Sequence, residues 1–111
     1  MLYTEKGMTF IAEVIDQVPN ISVITKIEAL SWINPDKVKE SIVKEFIEDA
    51  NILELTTEVV NTCIDIRRSR KIKTPDAIIV ATAIVNGLIL ITDDRDFENI
   101  SNLQIINPYT I

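Results

Sequence analysis

Apolar and polar positions along the chain recur with two different periods, which predicts helices alternating with short strands. Helical spacing, with apolar residues three and four positions apart, predicts helices over residues 9–18, 25–33, 35–50, 56–71 and 74–86. Short runs of apolar or β-branched residues predict strands over residues 21–24, 52–55, 88–91 and 104–106. Strands that alternate with helices are typical of an α/β fold with a parallel sheet.

Three helix starts carry recognisable signals. The sequence Thr25-Lys-Ile-Glu28 fits a capping box, which predicts a helix start at Thr25 with Glu28 in its first turn. Pro35 is expected near the start of the next amphipathic helix. Thr74 is predicted to cap a helix whose first residue is Pro75, and Gly87 is expected to end it.

The stretch from residue 77 to residue 91 consists of apolar or small uncharged side chains between carboxylates. It is shorter than the roughly 18 to 20 residues that a bilayer requires, and Asn86-Gly87 interrupts it, so no membrane span is expected. We interpret it as a buried helix followed by a strand. A strand as apolar as residues 88–91 is expected to be buried on both faces.

Composition limits the possible chemistry. The chain has 111 residues, which is enough for one domain covering residues 1–111. It has no histidine, which excludes histidine bases, histidine-activated nucleophiles and imidazole zinc sites. Its single cysteine, Cys63, lies on an apolar stretch and is expected to be a buried thiol. The net charge of −6 argues against binding nucleic acid by bulk charge, and without a signal peptide a cytoplasmic location is expected.

Acidic residues follow the predicted strands and begin the predicted helices. Glu28 lies just after residues 21–24, Asp93 and Asp94 lie just after residues 88–91, and Asp76 lies in the first turn of the helix between them. In a parallel α/β fold these positions meet at the carboxyl edge of the sheet. Oxygen ligands without His or Cys suit Mg²⁺ or Mn²⁺. The alternative is that each acid is an ordinary helix cap or part of a solvated turn.

The segments "ISVITKIEALSW", "KTPDAIIVATAIVNGLILITDDRDF" and "LQIINP", in this order, resemble the PIN-domain family, and within it the VapC-type toxins of toxin–antitoxin systems. The resemblance implies a three-layer α/β/α fold and a metal-dependent endoribonuclease that cleaves single-stranded RNA with Mg²⁺ or Mn²⁺. By matching position, it assigns catalysis to Glu28, Asp76 and Asp94. Asp93 is a further metal-ligand candidate, Asp96 more simply shapes the loop, and Thr92 is a candidate for positioning water or phosphate.

The sequence departs from the family pattern at its start. Family members begin with a central strand that ends in the first acid, whereas "MLYTEKGMTF" resembles the helix that follows that strand. We therefore expect an N-terminally incomplete PIN-like domain with weakened metal binding. The strands beside the missing one are expected to have unpaired edges unless another segment or chain fills the gap.

A basic cluster leads into the helix that carries Asp76. It consists of Arg67, Arg68, Arg70, Lys71 and Lys73. These cations could receive the RNA backbone, or they could simply complement a helix C-terminus.

Trp32 is interpreted as core or dimer surface, with an antitoxin groove as the alternative. Two functions stay open: an RNA-cleaving toxin that is a homodimer and binds an antitoxin, and a catalytically inactive PIN module that acts through dimerisation or antitoxin binding.

Overall fold

The computed structural model describes residues 5–111, which form a mixed helix and strand fold. The helices are α1 (Glu5–Asp16), α2 (Val23–Ser31), α3 (Lys37–Asp49), α4 (Thr57–Ser69) and α5 (Thr74–Val85). The strands are β1 (Asn20–Ser22), β2 (Asn51–Leu53), β3 (Leu90–Ile91) and β4 (Ile105–Ile106). A single 3-10 turn covers Arg95–Phe97. The predicted order of elements is confirmed over these residues. Residues 1–4 of the segment "MLYTEKGMTF" lie outside the described residues.

The strands form two separate parallel pairs. Strand β1 pairs with β2, with Ile21 opposite Ile52, and strand β3 pairs with β4, with Leu90 opposite Ile105. Within residues 5–111, no ladder joins β1 to β3. The predicted α/β class with parallel strands is therefore confirmed, and the described sheet is divided into two halves.

The core lies mainly between α4 and α5, which pack against each other more extensively than any other pair of described elements. Val59 on α4 and Val80 on α5 are fully buried. Phe97 and Ile100, from the segment after β3, close the same cluster. The buried residues of α5 share the small or β-branched side chains that allow close helix approach: Ala77, Ile78, Val80, Ala81, Thr82 and Ala83. The prediction of a buried helix at this place is confirmed.

The predicted start of α2 is wrong. The helix begins at Val23, and the Ser22 hydroxyl accepts a hydrogen bond from the Ile24 backbone N–H at 3.2 Å. Ser22 therefore provides the cap, because the strand before it ends after three residues. As a result, Glu28 lies in the second turn of α2 and not at its N-terminus.

The first and last boundaries also differ from the predictions. Helix α1 covers Glu5–Asp16 instead of residues 9–18, and its apolar residue Ile15 remains exposed because α1 packs only weakly against the other described elements. Val18, which lies beyond the end of the helix, is also exposed. Strand β3 is confined to Leu90–Ile91, and half of the Ile89 side chain is exposed. The prediction that this strand is buried on both faces is wrong, since its free edge has no neighbouring strand in residues 5–111.

No described helix has the length and apolar character needed to cross a bilayer. Helix α5 ends at Val85, one residue before the predicted end at Asn86, and Gly87 just beyond it adopts a left-handed φ of 63°, as expected for the residue that stops the helix. A residue with a Cβ is strained in this conformation. Gly87 thus separates the buried helix from strand β3.

Candidate functional site

Asp76 lies in the first turn of α5 and is half-buried. The helix begins one residue earlier than predicted, because Lys73 is at the N-cap, followed by Thr74 and then Pro75. The Ala77 backbone N–H donates to the Lys73 carbonyl at 2.9 Å, and no side chain caps the helix. An acidic side chain at this position interacts favourably with the positive end of the helix dipole.

Asp94 has a defined structural partner in the loop after β3. Its carboxylate accepts a hydrogen bond from the Asp96 backbone N–H at 2.9 Å and caps the 3-10 turn. Its own backbone N–H donates to the Thr92 hydroxyl oxygen at 3.1 Å. Three of the residues selected from the sequence are therefore joined in one short hydrogen-bonded loop. Asp93 is exposed beside them.

Glu28 is exposed on the second turn of α2. Its connection with the sheet is indirect, through a helix that begins at the end of β1. Among residues 5–111, no group of three or more Asp, Glu or Cys side chains lies close enough together to hold a metal ion. The donors have the chemistry that Mg²⁺ or Mn²⁺ prefers. The described residues nevertheless do not fit a complete site for such an ion.

The basic cluster divides into two groups. The Arg67 Nε donates to the Ile72 carbonyl at 3.1 Å, and an Arg70 Nη donates to the Asn99 carbonyl at 3.3 Å. These two side chains tie the end of α4 to neighbouring loops. Arg68, Lys71 and Lys73 are exposed, and no ion pair holds them to the acidic residues of the described chain.

A cavity of about 600 Å³ adjoins this cluster. Arg67, Arg68 and Thr74 line it together with the apolar residues Val60 and Ile64. About half of Ile64 is exposed. Sequence reasoning missed this apolar surface, and the only signal for it was that the stripe on α4 is wider than one helix contact needs.

Cys63 is buried on α4, as predicted. Burial raises the pKa of its thiol, and the nearby Arg67 guanidinium opposes this effect in part. A thiol with a raised pKa is a poor nucleophile at neutral pH. Cys63 is therefore a packing residue and not a reactive group.

A family comparison identifies the class of protein. The PIN-domain model matches residues 4–103, so the chain belongs to the PIN-domain family. The match covers the elements that carry Glu28, Asp76 and Asp94. No curated protein sequence matched the chain.

Solved structures then give particular relatives. One protein of a toxin–antitoxin complex from Klebsiella pneumoniae is 28% identical, with a TM-score of 0.73, and the match covers 97% of this chain and 88% of that chain. VapBC2 from Rickettsia felis, bound to a DNA fragment from its promoter, gives 18% identity and a TM-score of 0.74 over 94% of this chain and 86% of that one. DNA-bound VapBC from Salmonella typhimurium is 23% identical, with a TM-score of 0.73, and the match covers 95% of this chain and 86% of that chain. The three-layer α/β/α PIN fold is thus confirmed.

Proposed function

We propose that this chain is the ribonuclease toxin of a VapBC-type pair and that it hydrolyses phosphodiester bonds in single-stranded RNA. The observation that carries the proposal is the PIN-domain match over residues 4–103, combined with the structural likeness to a toxin–antitoxin complex. Within that match, Asp76 lies at the start of the buried helix α5, and Asp94 lies just after strand β3, which follows that helix. Glu28 is the third acid of the proposed set.

The proposed substrate is supported by the charges beside Asp76. The chain has a net charge of −6, so RNA must be received by a local cationic surface. Arg68 and Lys73 are exposed on either side of the loop that leads into α5, and Arg67 lines the neighbouring cavity. Arg70 supports this cationic surface indirectly, because its side chain donates to the Asn99 carbonyl and so holds the loop that contains Asn99. Thr92, whose hydroxyl oxygen accepts from the Asp94 N–H, keeps its own hydroxyl proton available to donate to a phosphate oxygen.

A divalent cation, Mg²⁺ or Mn²⁺, belongs to the proposal because PIN-domain nucleases generally use such ions. Glu28, Asp76 and Asp94 are the proposed ligands, with Asp93 as the alternative in the loop. The described residues leave this ligand set incomplete. The cation requirement is therefore a matter for direct measurement.

The proposed protein partner is an antitoxin, since the similar structure from Klebsiella pneumoniae is a toxin–antitoxin complex. A surface for it is supported by exposed apolar residues around the end of α2. Ile27, Trp32 and Ile33 are 56%, 44% and 83% exposed. Exposed apolar groups of this size are typical of interaction surfaces. A homodimer is also proposed, with the exposed apolar residues Val60 and Ile64 of α4 as its contact.

The test is cleavage of an unstructured single-stranded RNA by purified protein with Mn²⁺ or Mg²⁺, followed on a denaturing gel. Asp76→Asn is the matched variant, because it keeps the shape of the side chain and removes its charge. We expect cleavage by the unmodified protein, loss of cleavage with a chelator, and loss in Asp76→Asn. Equal cleavage by both proteins would point to a contaminating nuclease and refute the proposed role of Asp76.

A second function is favoured by one observation, the absence of a grouped metal-ligand set within residues 5–111. In this alternative the domain is catalytically inactive and acts by binding an antitoxin or a second copy. The two functions differ in a simple respect. The inactive module would form a stable complex with the antitoxin while cleaving no RNA at any Mn²⁺ concentration.

A further inference from the structure

Arg70 joins the end of α4 to the loop that carries Asp94. It directly follows α4, and its own backbone N–H donates to the Ile66 carbonyl at 3.1 Å. One of its Nη atoms donates to the Asn99 carbonyl at 3.3 Å. Asn99 follows the 3-10 turn that the Asp94 carboxylate caps, so this bond connects α4 with that turn.

Arg70 faces a different part of the surface from the other arginines of the basic cluster. Arg67 and Arg68 line the cavity of about 600 Å³. Arg70 instead lines a separate cavity of about 590 Å³, together with Asp65 of α4 and Asn99. A carboxylate such as that of Asp65 repels the phosphates of RNA. The position of Arg70 therefore favours a bond within the protein over a contact with RNA.

The backbone of this loop requires support from other parts of the chain. Asn99 and Asn102 have φ angles of 62° and 66°, in the left-handed region that residues with a Cβ adopt rarely. The ion pair within the loop, between Arg95 and Glu98, has an N–O distance of 3.8 Å and is exposed, so it contributes little. Such backbone conformations persist where the surrounding structure determines them.

Two kinds of contact provide this support. Phe97 and Ile100 are buried in the same apolar cluster as Ile66 of α4. Between these two anchors, the Arg70 guanidinium donates to the Asn99 carbonyl. Apolar contacts are non-directional, whereas a hydrogen bond requires a narrow range of angles. Arg70 is therefore the contact from α4 that fixes the orientation of the loop backbone.

A short series of hydrogen bonds connects this part of the loop with Asp94. The Glu98 N–H donates to the Arg95 carbonyl at 3.0 Å, and the Phe97 N–H donates to the Asp94 carbonyl at 3.3 Å. The Asp96 N–H donates to the Asp94 carboxylate at 2.9 Å. The Asp94 carboxylate is therefore oriented by a turn whose other end is bonded to α4.

We propose that Arg70 is a positioning residue, whose hydrogen bond to the Asn99 carbonyl holds the Asp94 carboxylate in one orientation, and that Arg70 does not itself bind RNA. Without this bond the carboxylate samples several orientations and is less often in the productive one, which slows the chemical step. The effect on catalysis rests on the proposed function, whereas the effect on the orientation of Asp94 does not.

The first experiment measures this orientation without RNA. Arg70→Met keeps an unbranched side chain and removes the donor, and amide hydrogen exchange is read residue by residue by NMR. We expect the Asp96 amide to exchange at least about tenfold faster, because its acceptor is no longer held in place. The Val60 amide, which donates to the Thr56 carbonyl at 2.9 Å at the other end of α4, is the internal control and should not change.

Two matched variants make the result specific. Arg67→Met removes a comparable bond at the same helix end, to the Ile72 carbonyl at 3.1 Å, and should leave the exchange of the Asp96 amide unchanged. Arg70→Lys keeps a charged terminal donor. It places a methylene group where the Arg70 Nε lies, and that buried Nε has no hydrogen-bond partner within residues 5–111, so no bond is lost there. Exchange of the Asp96 amide in Arg70→Lys should stay within about threefold of the original rate.

The second experiment measures cleavage of single-stranded RNA by Arg70→Met at a series of RNA and salt concentrations. A residue that orients a reacting group affects kcat more than KM, so we expect kcat to fall at least about tenfold and KM to stay within about twofold. The salt dependence of KM should be unchanged. A cation that contacts a phosphate would instead raise KM and lower the slope of log KM against log salt by about 0.7.

The outcomes separate the orientation of the loop from the proposed nuclease function. Unchanged exchange of the Asp96 amide in Arg70→Met, the same change in Arg67→Met, or an equal loss of protection in Arg70→Lys would overturn the proposal. A raised KM with a lower salt slope would also overturn it, because Arg70 would then contact RNA. Faster exchange with normal cleavage would leave the positioning of the loop established and refute its effect on catalysis. If the unmodified protein cleaves no RNA, the proposed function fails, and the exchange measurement still decides whether Arg70 orients Asp94.

Discussion

Asp94 offers the sharpest separation of a structural role from a chemical one. Its carboxylate accepts a hydrogen bond from the Asp96 N–H at 2.9 Å and so caps a 3-10 turn, which contributes to the stability of the fold. Removing a cap costs about 0.5–2 kcal/mol, and for one short exposed turn we expect the lower end, about 0.5 kcal/mol. For a domain of this size that is a decrease of about 2–4 °C in melting temperature. This decrease is the prediction for Asp94→Ala.

Asp94→Asn keeps an acceptor oxygen for the Asp96 N–H and removes only the charge. Its melting temperature should therefore stay within about 1 °C of the original protein. If Asp94 is a site carboxylate, its RNA cleavage should still fall at least about a hundredfold, equal to about 2.7 kcal/mol of transition-state stabilisation. Circular dichroism melting and single-stranded RNA cleavage measure the two effects on the same preparation. Asp93→Asn is the neighbouring control and should retain cleavage.

The reasoning fails if Asp94→Asn cleaves RNA normally while Asp93→Asn does not, because Asp93 would then be the acid of this loop. Equal melting temperatures for Asp94→Ala and the original protein would refute the capping role.

Four other predictions concern stability, each measured by thermal or urea denaturation. Val80→Ala should cost about 2–3 kcal/mol, since it removes two buried carbon atoms at about 0.8 kcal/mol each and leaves a cavity in the α4–α5 interface. Asp36→Ala should cost about 1 kcal/mol by removing the acceptor of two N–H groups at the start of α3, and Asp36→Asn should restore most of it. Gly87→Ala should cost about 1 kcal/mol from the left-handed φ alone, because a Cβ there meets no atom within 4 Å. Burial raises the pKa of the Cys63 thiol, so the folded state favours the neutral thiol, and the free energy of unfolding should fall as the pH rises above the ordinary thiol pKa of 9.0. Cys63→Ala should lack this part of the loss of stability at alkaline pH.

The sequence was most informative where local signals and burial agree. The run of small apolar residues in α5, ended by Gly87, predicted a buried helix and the position of Asp76 in its first turn, and both are found. The boundary of α2 was missed because Val23 and Ile24 are β-branched, yet they begin a helix as soon as Ser22 supplies a cap. Local propensity is a weak guide when a side-chain cap and tertiary packing favour the other conformation.

The environment of the charged residues depended on contacts that are distant in sequence. Arg70 is held by the Asn99 carbonyl, 29 positions away, and no spacing rule links the two. The exposure of Ile89 and Ile91 follows from the absence of a neighbouring strand in residues 5–111, which a hydropathy pattern alone does not reveal. The topology predicts that the acidic residues lie near one edge of the sheet. Only the positions of their side chains show whether they are close enough to form a site.

The close packing of α4 on α5 has a consequence for the order in which the chain folds. These helices are joined by only residues 70–73, so bringing them together closes a short loop at a small entropic cost. The pairing of Asn20 with Asn51 must close a loop of some thirty residues before any ladder forms. We therefore expect the α4–α5 hairpin to form early and the β1–β2 pair late. Asp76 would then occupy its position in the transition state for folding, before Glu28 is fixed in its own.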